Sequence, residues 1–136
     1  MTSTAVQTRS VIVEREMPYP PEKIWRALTQ PHLLGEWLMK TDFKPVMDQR
    51  FTFSGDWGSV DCQVMELEPN KALAYTWAAF GLESIVTWTL SPTHGGTRLR
   101  MEQEGFRADQ EQFYGGAQAS WPQFLDKLEA VVKELD

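Results

Sequence analysis

Cysteine is almost absent from this chain: Cys62 stands alone, and His32 and His94 are its only histidines. A disulfide framework is excluded, and no Cys/His spacing suits zinc or iron. Basic residues are also in short supply. Thirteen Lys and Arg face nineteen Asp and Glu, a net charge of −6, and the resulting field repels phosphate, which argues against nucleic acid and anionic membranes as partners. Long apolar runs are missing too. An uncharged stretch such as Ala72–Leu82 is too short to span about 30 Å of hydrocarbon. Met1–Arg9 lacks the apolar core of a signal peptide, so no membrane insertion and a cytoplasmic location are expected. There is no Gly-rich phosphate loop, nucleophile elbow or His-Glu zinc helix. Neither a metal nor an organic cofactor is expected, and the glycine pairs at 95–96 and 115–116 read as turns.

Aromatic residues, in contrast, are abundant: six Trp, seven Phe and three Tyr among 136 residues. That is ample material for one core of about 14 Å radius of gyration, and too little chain for a second. Residues 1–8 are aperiodic and Ser/Thr-rich, and read as a disordered terminus; 9–136 read as a single domain.

Periodicity divides that domain. Arg9–Met17 is short and β-branched, and ends where Pro18, Pro20 and Pro21 remove ladder donors, so it is expected to be an edge-compatible strand. Pro21 suits a first helical position, with Ile24, Trp25 and Leu28 on one face. Pro31 starts a second short helix carrying Leu33, Leu34 and Trp37. From about Asp42 the period falls to two, and turn signals recur at Ser54-Gly55-Asp56, Glu68-Pro69-Asn70-Lys71 and Pro92–Gly96. Strands are predicted near 42–46, 50–54, 58–67, 71–78, 82–91 and 96–105. The helical period returns after Gly105, with Phe124, Leu128, Val131 and Leu135 forming a stripe flanked by Leu125 and Val132. Ser120-Trp121-Pro122-Gln123 reads as a capping box. A start nearer Asp109 would instead put Pro122 inside the helix, at a cost of about 3 kcal/mol.

Strand, two short helices, six strands and a long helix make an α+β protein. A curved antiparallel sheet of about seven strands cannot cover its concave face with two short helices, so the C-terminal helix must cross it. The residues that carry this order also resemble a known family. They are Pro21-Glu22-Lys23-Ile24-Trp25-Arg26-Ala27-Leu28-Thr29 with Pro31 and Trp37, Glu68-Pro69-Asn70-Lys71 with Ala74-Tyr75-Thr76-Trp77, and Val86-Thr87-Trp88-Thr89-Leu90. Gly96-Thr97-Arg98-Leu99, Glu104-Gly105-Phe106 and Trp121-Pro122 with Leu125, Asp126 and Leu128 complete the set. Over residues 10–135 the chain resembles the activator-of-heat-shock-protein-ATPase-like branch of the SRPBCC, or START-like, superfamily. It departs at Ser120, where the family commonly has Gly. The resemblance implies a helix-grip fold with a pocket between sheet and helix that in many relatives holds an apolar ligand.

Alternation places Leu73, Tyr75 and Trp77 on one strand face, Val86, Trp88 and Leu90 on a second, and Leu99 and Met101 on a third. If those faces are concave, they meet Trp121, Phe124 and Leu128 of the helix, either as a packed core or as the aromatic wall of a cavity. A dry void of about 300 Å³ would cost roughly 7 kcal/mol at about 24 cal/mol per Å³. Any cavity is therefore small, open to water, or occupied. The segment Glu36–Gly58, with Trp37, Met39, Phe43, Met47, Phe51, Phe53 and Trp57, reads either as its mouth or as a satellite cluster under a hairpin. The expected ligand contacts are Trp37, Phe53, Tyr75, Trp77, Trp88, Met101, Trp121, Phe124 and Leu128.

Catalytic candidates are few. Asp61, Gln63, His32 and His94 read as solvent-facing, Glu83 starts a strand, Cys62 reads as a small buried hydrophobe, and Tyr75 as a donor to a backbone acceptor. No catalytic residue is assigned. The leading expectation is a non-enzymatic module binding a small hydrophobic molecule. A domain that binds a cytosolic protein or chaperone comes second, and a cyclase or hydrolase using the same cavity third. The eukaryotic activator has a further amino-terminal domain that these residues do not supply, so chaperone activation itself is not expected. The first strand can pair as an edge in a homodimer, but Glu14, Arg15 and Glu16 protect it as a monomer.

Overall fold

A computed structural model describes residues 8–135. The first strand, β1 (Thr8–Met17), is followed by α1 (Pro21–Thr29) and α2 (Pro31–Trp37). Both helices open on proline at the first turn, where the missing N–H has no partner to lose. Ile24, Ala27 and Leu28 bury one face of α1. The indole N–H of Trp37 donates to the Ala27 carbonyl at 2.8 Å and pins α2 against it.

Six further strands follow as β2 (Lys40–Thr41), β3 (Arg50–Gly55), β4 (Gly58–Glu68), β5 (Ala72–Ala79), β6 (Leu82–Thr93) and β7 (Gly96–Arg107), and α3 (Glu111–Glu134) closes the chain. The seven strands form one antiparallel sheet in the order β1-β7-β6-β5-β4-β3-β2. Every neighbouring pair except β1–β7 is a sequential hairpin, so the first strand returns to lie beside the last. At the β1–β7 seam the register slips between Arg9 and Ser10, leaving Gly105 as the extra residue. Its φ is +116°, and a Cβ there would come within 2.8 Å of the Glu83 carbonyl, so the bulge that bends the sheet requires glycine.

The predicted α+β helix-grip architecture is therefore present. Alternation along β4, β6 and β7 buries Val60, Cys62 and Val64, then Val86, Trp88 and Leu90, then Leu99 and Met101, and these form one core with Trp121, Leu125, Leu128 and Val132 of α3. Ion pairs from β1 hold the helix in place. Arg15 meets Asp126 at 2.6 Å and also donates to the Pro122 carbonyl at 3.1 Å, while Arg9 pairs with Glu111.

Five expectations need correction. The strand expected at 42–46 ends at Thr41, because the Asp42 carboxylate takes the Thr52 amide hydrogen at 2.8 Å and Thr41 Oγ1 takes that of Phe43 at 3.1 Å. Side chains thus replace the ladder, and Pro45 could not extend it. The final helix begins at Glu111, so Ser120–Gln123 form no cap and Gly115-Gly116 lie inside the helix instead of in a turn. Packing of Phe113, Tyr114, Ala117 and Trp121 against the core outweighs the local cost of two glycines and a proline. Pro122 cannot donate to the turn before it, and Gln123 Nε2 donates nearby to the Ala119 carbonyl at 3.3 Å. The buried stripe is accordingly rotated toward Trp121, and Leu135 lies beyond the helix. Residues 1–7 of the terminus read as disordered lie outside the described residues, but Thr8 belongs to β1.

One hairpin stands out. Phe80 and Gly81 form the two-residue loop between the paired Ala79 and Leu82, with φ of +53° and +87°. Positive φ at both positions marks a type I′ turn, which favours Asn-Gly. Among the described residues, the other non-glycine residues at positive φ are Asp48 and Asn70, types that tolerate it. A phenylalanine there costs about 1–2 kcal/mol.

Candidate functional site

Between the sheet and the first half of α3 the chains do not close. A cleft of about 450 Å³ remains, within the range of small-molecule sites. Its sheet wall consists of Trp77, Leu82, Gln103 and Phe106; α3 contributes Phe113, Gly116, Ala117, Trp121 and Phe124. Leu38 and Met39, which follow α2, and Trp57, at the β3–β4 tip, complete the rim with Gln112 and Ser120. None of these side chains is charged. The cleft opens at the surface, so the penalty of a dry enclosed void does not apply.

Its polar floor is fully paired. The Trp121 indole N–H donates to Gln103 Oε1 at 2.7 Å, Gln103 Nε2 donates to Ser84 Oγ at 3.0 Å, and Ser84 Oγ donates to the Trp77 carbonyl at 2.9 Å. Gln103 is 3 % exposed. An amide buried without partners would cost about 2–7 kcal/mol, so this chain of bonds makes a polar residue tolerable in an aromatic wall. It also fixes the Trp121 ring, which contacts Trp77 at 5.4 Å and Trp88 at 5.7 Å between centroids.

Of the nine expected contacts, the cleft brings together Trp77, Trp121 and Phe124. Trp37, Phe53, Tyr75, Trp88, Met101 and Leu128 are instead packed in the core beneath it, each 2 % exposed or less. Trp37 stands edge-on to Trp88 at 5.6 Å, and Phe51 contacts Phe43, Phe53 and Tyr75. The 36–58 segment is thus divided: Met39 and Trp57 reach the rim, whereas Phe43, Phe51 and Phe53 extend the core. Residues missed in the sequence are chiefly those of the first three turns of α3, where glycines and proline obscured the helical period.

The titratable groups lie elsewhere. His32, His94, Asp61 and Glu83 are exposed. Burial, reinforced by nearby Asp61 and Asp42, pushes the Cys62 thiol far up and leaves it an inert core residue. Burial likewise raises the Tyr75 phenol, opposed in part by its bond to Trp88. The Tyr75 hydroxyl accepts the Trp88 indole hydrogen at 2.9 Å, an aromatic partner in place of the backbone acceptor expected. Among the described residues, no cluster of His, Cys, Asp or Glu could hold a metal ion, and no helix is long and apolar enough to cross a membrane.

A curved antiparallel sheet gripping a C-terminal helix, with an aromatic cleft between them, defines a helix-grip protein. Residues 18–133 match the family described as Activator of Hsp90 ATPase homolog 1-like protein, and the chain belongs to that family, within the SRPBCC superfamily. Similar solved structures agree. Protein MLL2253 from Mesorhizobium loti is 57% identical with a TM-score of 0.91, over 94% of this chain and 99% of that one. CalU16 from Micromonospora echinospora is 23% identical with a TM-score of 0.81, over 93% of this chain and 78% of that one. DynU16, a protein of the dynemicin biosynthetic locus, is 23% identical with a TM-score of 0.83, over 92% of this chain and 47% of that one. These last two show the shared fold. No curated protein matches.

Proposed function

We propose that the chain is a binding module that holds a small, uncharged, hydrophobic molecule between the sheet and α3. The observation that carries this reading is the cleft itself: about 450 Å³, walled by aromatic and aliphatic side chains, with no charged residue in its lining. Burial of an apolar ligand there supplies about 25 cal/mol per Å², and a charged ligand would lose hydration with no partner to replace it. Because Trp121, Gln103 and Ser84 are already paired with one another, the wall is preformed and little ordering is needed on binding. The lining's polar side chains are two glutamines and a serine, suited to orienting a ligand more than to moving protons near neutral pH. This favours binding over the cyclase or hydrolase reading. A cytoplasmic setting belongs to the same proposal. The protein-partner reading draws on the family description alone.

At about 0.3 kcal/mol per non-hydrogen atom, a ligand of about 20 atoms would bind with a Kd of tens of micromolar. Titration with a panel of neutral apolar compounds is expected to raise the melting temperature and quench tryptophan emission. At a hundredfold excess over Kd the stabilisation is about 2.7 kcal/mol. Substitution Ala117→Trp, which fills the cleft from the helix side, is expected to abolish both responses while leaving the far-ultraviolet circular dichroism unchanged. No response from the unsubstituted protein to any member of the panel would refute the proposal.

A further inference from the structure

We infer that Trp57, positioned by Phe80, is an aromatic clasp at the mouth of the cleft that selects planar, uncharged ligands over flexible aliphatic ones. This inference rests on the binding role proposed above. Trp57 lines the cleft at the tip of the β3–β4 hairpin, and Phe80 packs against it from the β5–β6 tip, with ring centroids 5.8 Å apart at an angle of 49°. Both remain open to solvent, Trp57 at 52% and Phe80 at 67%. Core packing therefore does not explain the pair.

Local sequence choices nevertheless maintain it. Phe80 occupies the first central position of a type I′ turn, at φ +53°, where asparagine or glycine would relieve the backbone. A Cβ at Gly55 would lie 2.6 Å from the Trp57 indole nitrogen, so glycine is what lets the indole lie over the strand. A Cβ at Gly58, itself at φ +139°, would approach Phe80 Cζ to 3.2 Å. Three positions thus accommodate two water-exposed rings, and a broken local rule without a packing return points to a functional site. Trp57 shares the lining of the cleft with the rings of Trp77, Trp121 and Phe124. Rings reward a second ring by offset or edge-to-face geometry beyond buried area, a gain an alkyl chain does not share. No charged side chain lines the cleft together with Trp57, so the selected ligand is flat and neutral.

The test measures two probes, Nile red (planar, neutral) and 1-dodecanol (aliphatic, neutral), against the unsubstituted protein and the variants Phe80→Gly and Trp57→Leu. Phe80→Gly is expected to weaken Nile red about fivefold and Trp57→Leu about tenfold, with dodecanol changed less than about twofold. Glycine suits the turn, so Phe80→Gly is also expected to keep or raise the unfolding midpoint. A purely structural role for Phe80 would lower it. If both variants bind Nile red like the unsubstituted protein, or lose the two probes equally, the clasp is overturned and the cleft reading stands. The same holds if the protein binds dodecanol but not Nile red. Binding of neither probe overturns the clasp, and the cleft reading falls with it only when the wider panel gives no response either. Size-exclusion chromatography covers the remaining occupant: a dimer that Phe80→Gly dissociates, with Nile red affinity unchanged, would make the pair a self-association contact and overturn the clasp.

Discussion

Gln103 shows how one polar side chain organises an apolar wall. Its amide joins the Trp121 indole of α3 to Ser84 of β6, so replacing it by leucine would leave the buried Trp121 N–H without an acceptor and remove the bond that Ser84 Oγ accepts, while Ser84 keeps its own bond to the Trp77 carbonyl. Gln103→Leu is expected to destabilise the protein by about 1–3 kcal/mol, as read by urea unfolding, because a buried group left unpaired incurs its full desolvation cost. Trp121 emission should change with it as the ring is released. That Gln103 faces inward follows from alternation with Leu99 and Met101. Its partnership with Trp121, eighteen positions away, does not follow from any local pattern. Cys62 marks the opposite case: Val60, Cys62 and Val64 alternate with polar neighbours, and its burial was legible from four or five residues.

At the scale of elements, α3 is the piece least well read from the sequence. Its second half has a clear apolar stripe; its first half carries Gly115, Gly116 and Pro122, which locally signal a turn. Tertiary contact decided otherwise, because Phe113, Ala117 and Trp121 fall on one face only if the helix begins at Glu111. Cβ atoms at Gly115 and Gly116 would meet nothing within 4 Å, so these glycines relieve no clash. Gly115→Ala is expected to stabilise the protein by about 0.5–1 kcal/mol in chemical denaturation. Charge at the helix start adds a pH dependence. The Arg9 guanidinium holds the Glu111 carboxyl below its ordinary value of 4.5. A lowered carboxylate contributes stability that is present above the unfolded value and lost as pH falls through the folded one. Both partners are exposed, so the effect is small and weakened by salt. The stability difference between the protein and Glu111→Gln should accordingly shrink as pH drops below 4.5, and shrink again in 1 M salt.

For the whole molecule, one contiguous core links every strand but the two-residue β2 to all three helices. We expect unfolding followed by tryptophan emission and by far-ultraviolet circular dichroism to coincide in a single transition, as for one cooperative domain; separated midpoints would contradict this. By itself the sequence determined the element order, the meander, the edge character of β1 and the family, because periodicity, proline placement and turn residues act over a few positions at a time. Only the tertiary structure decided which aromatics fill space and which frame it. Trp37 and Trp88 look no different from Trp57 and Trp121 in a linear pattern, and which of them lines the cleft depends on where a bulge at Gly105 bends the sheet and how far α3 extends across it. Burial is a property of surfaces brought together from distant parts of the chain, and no local signal carries it.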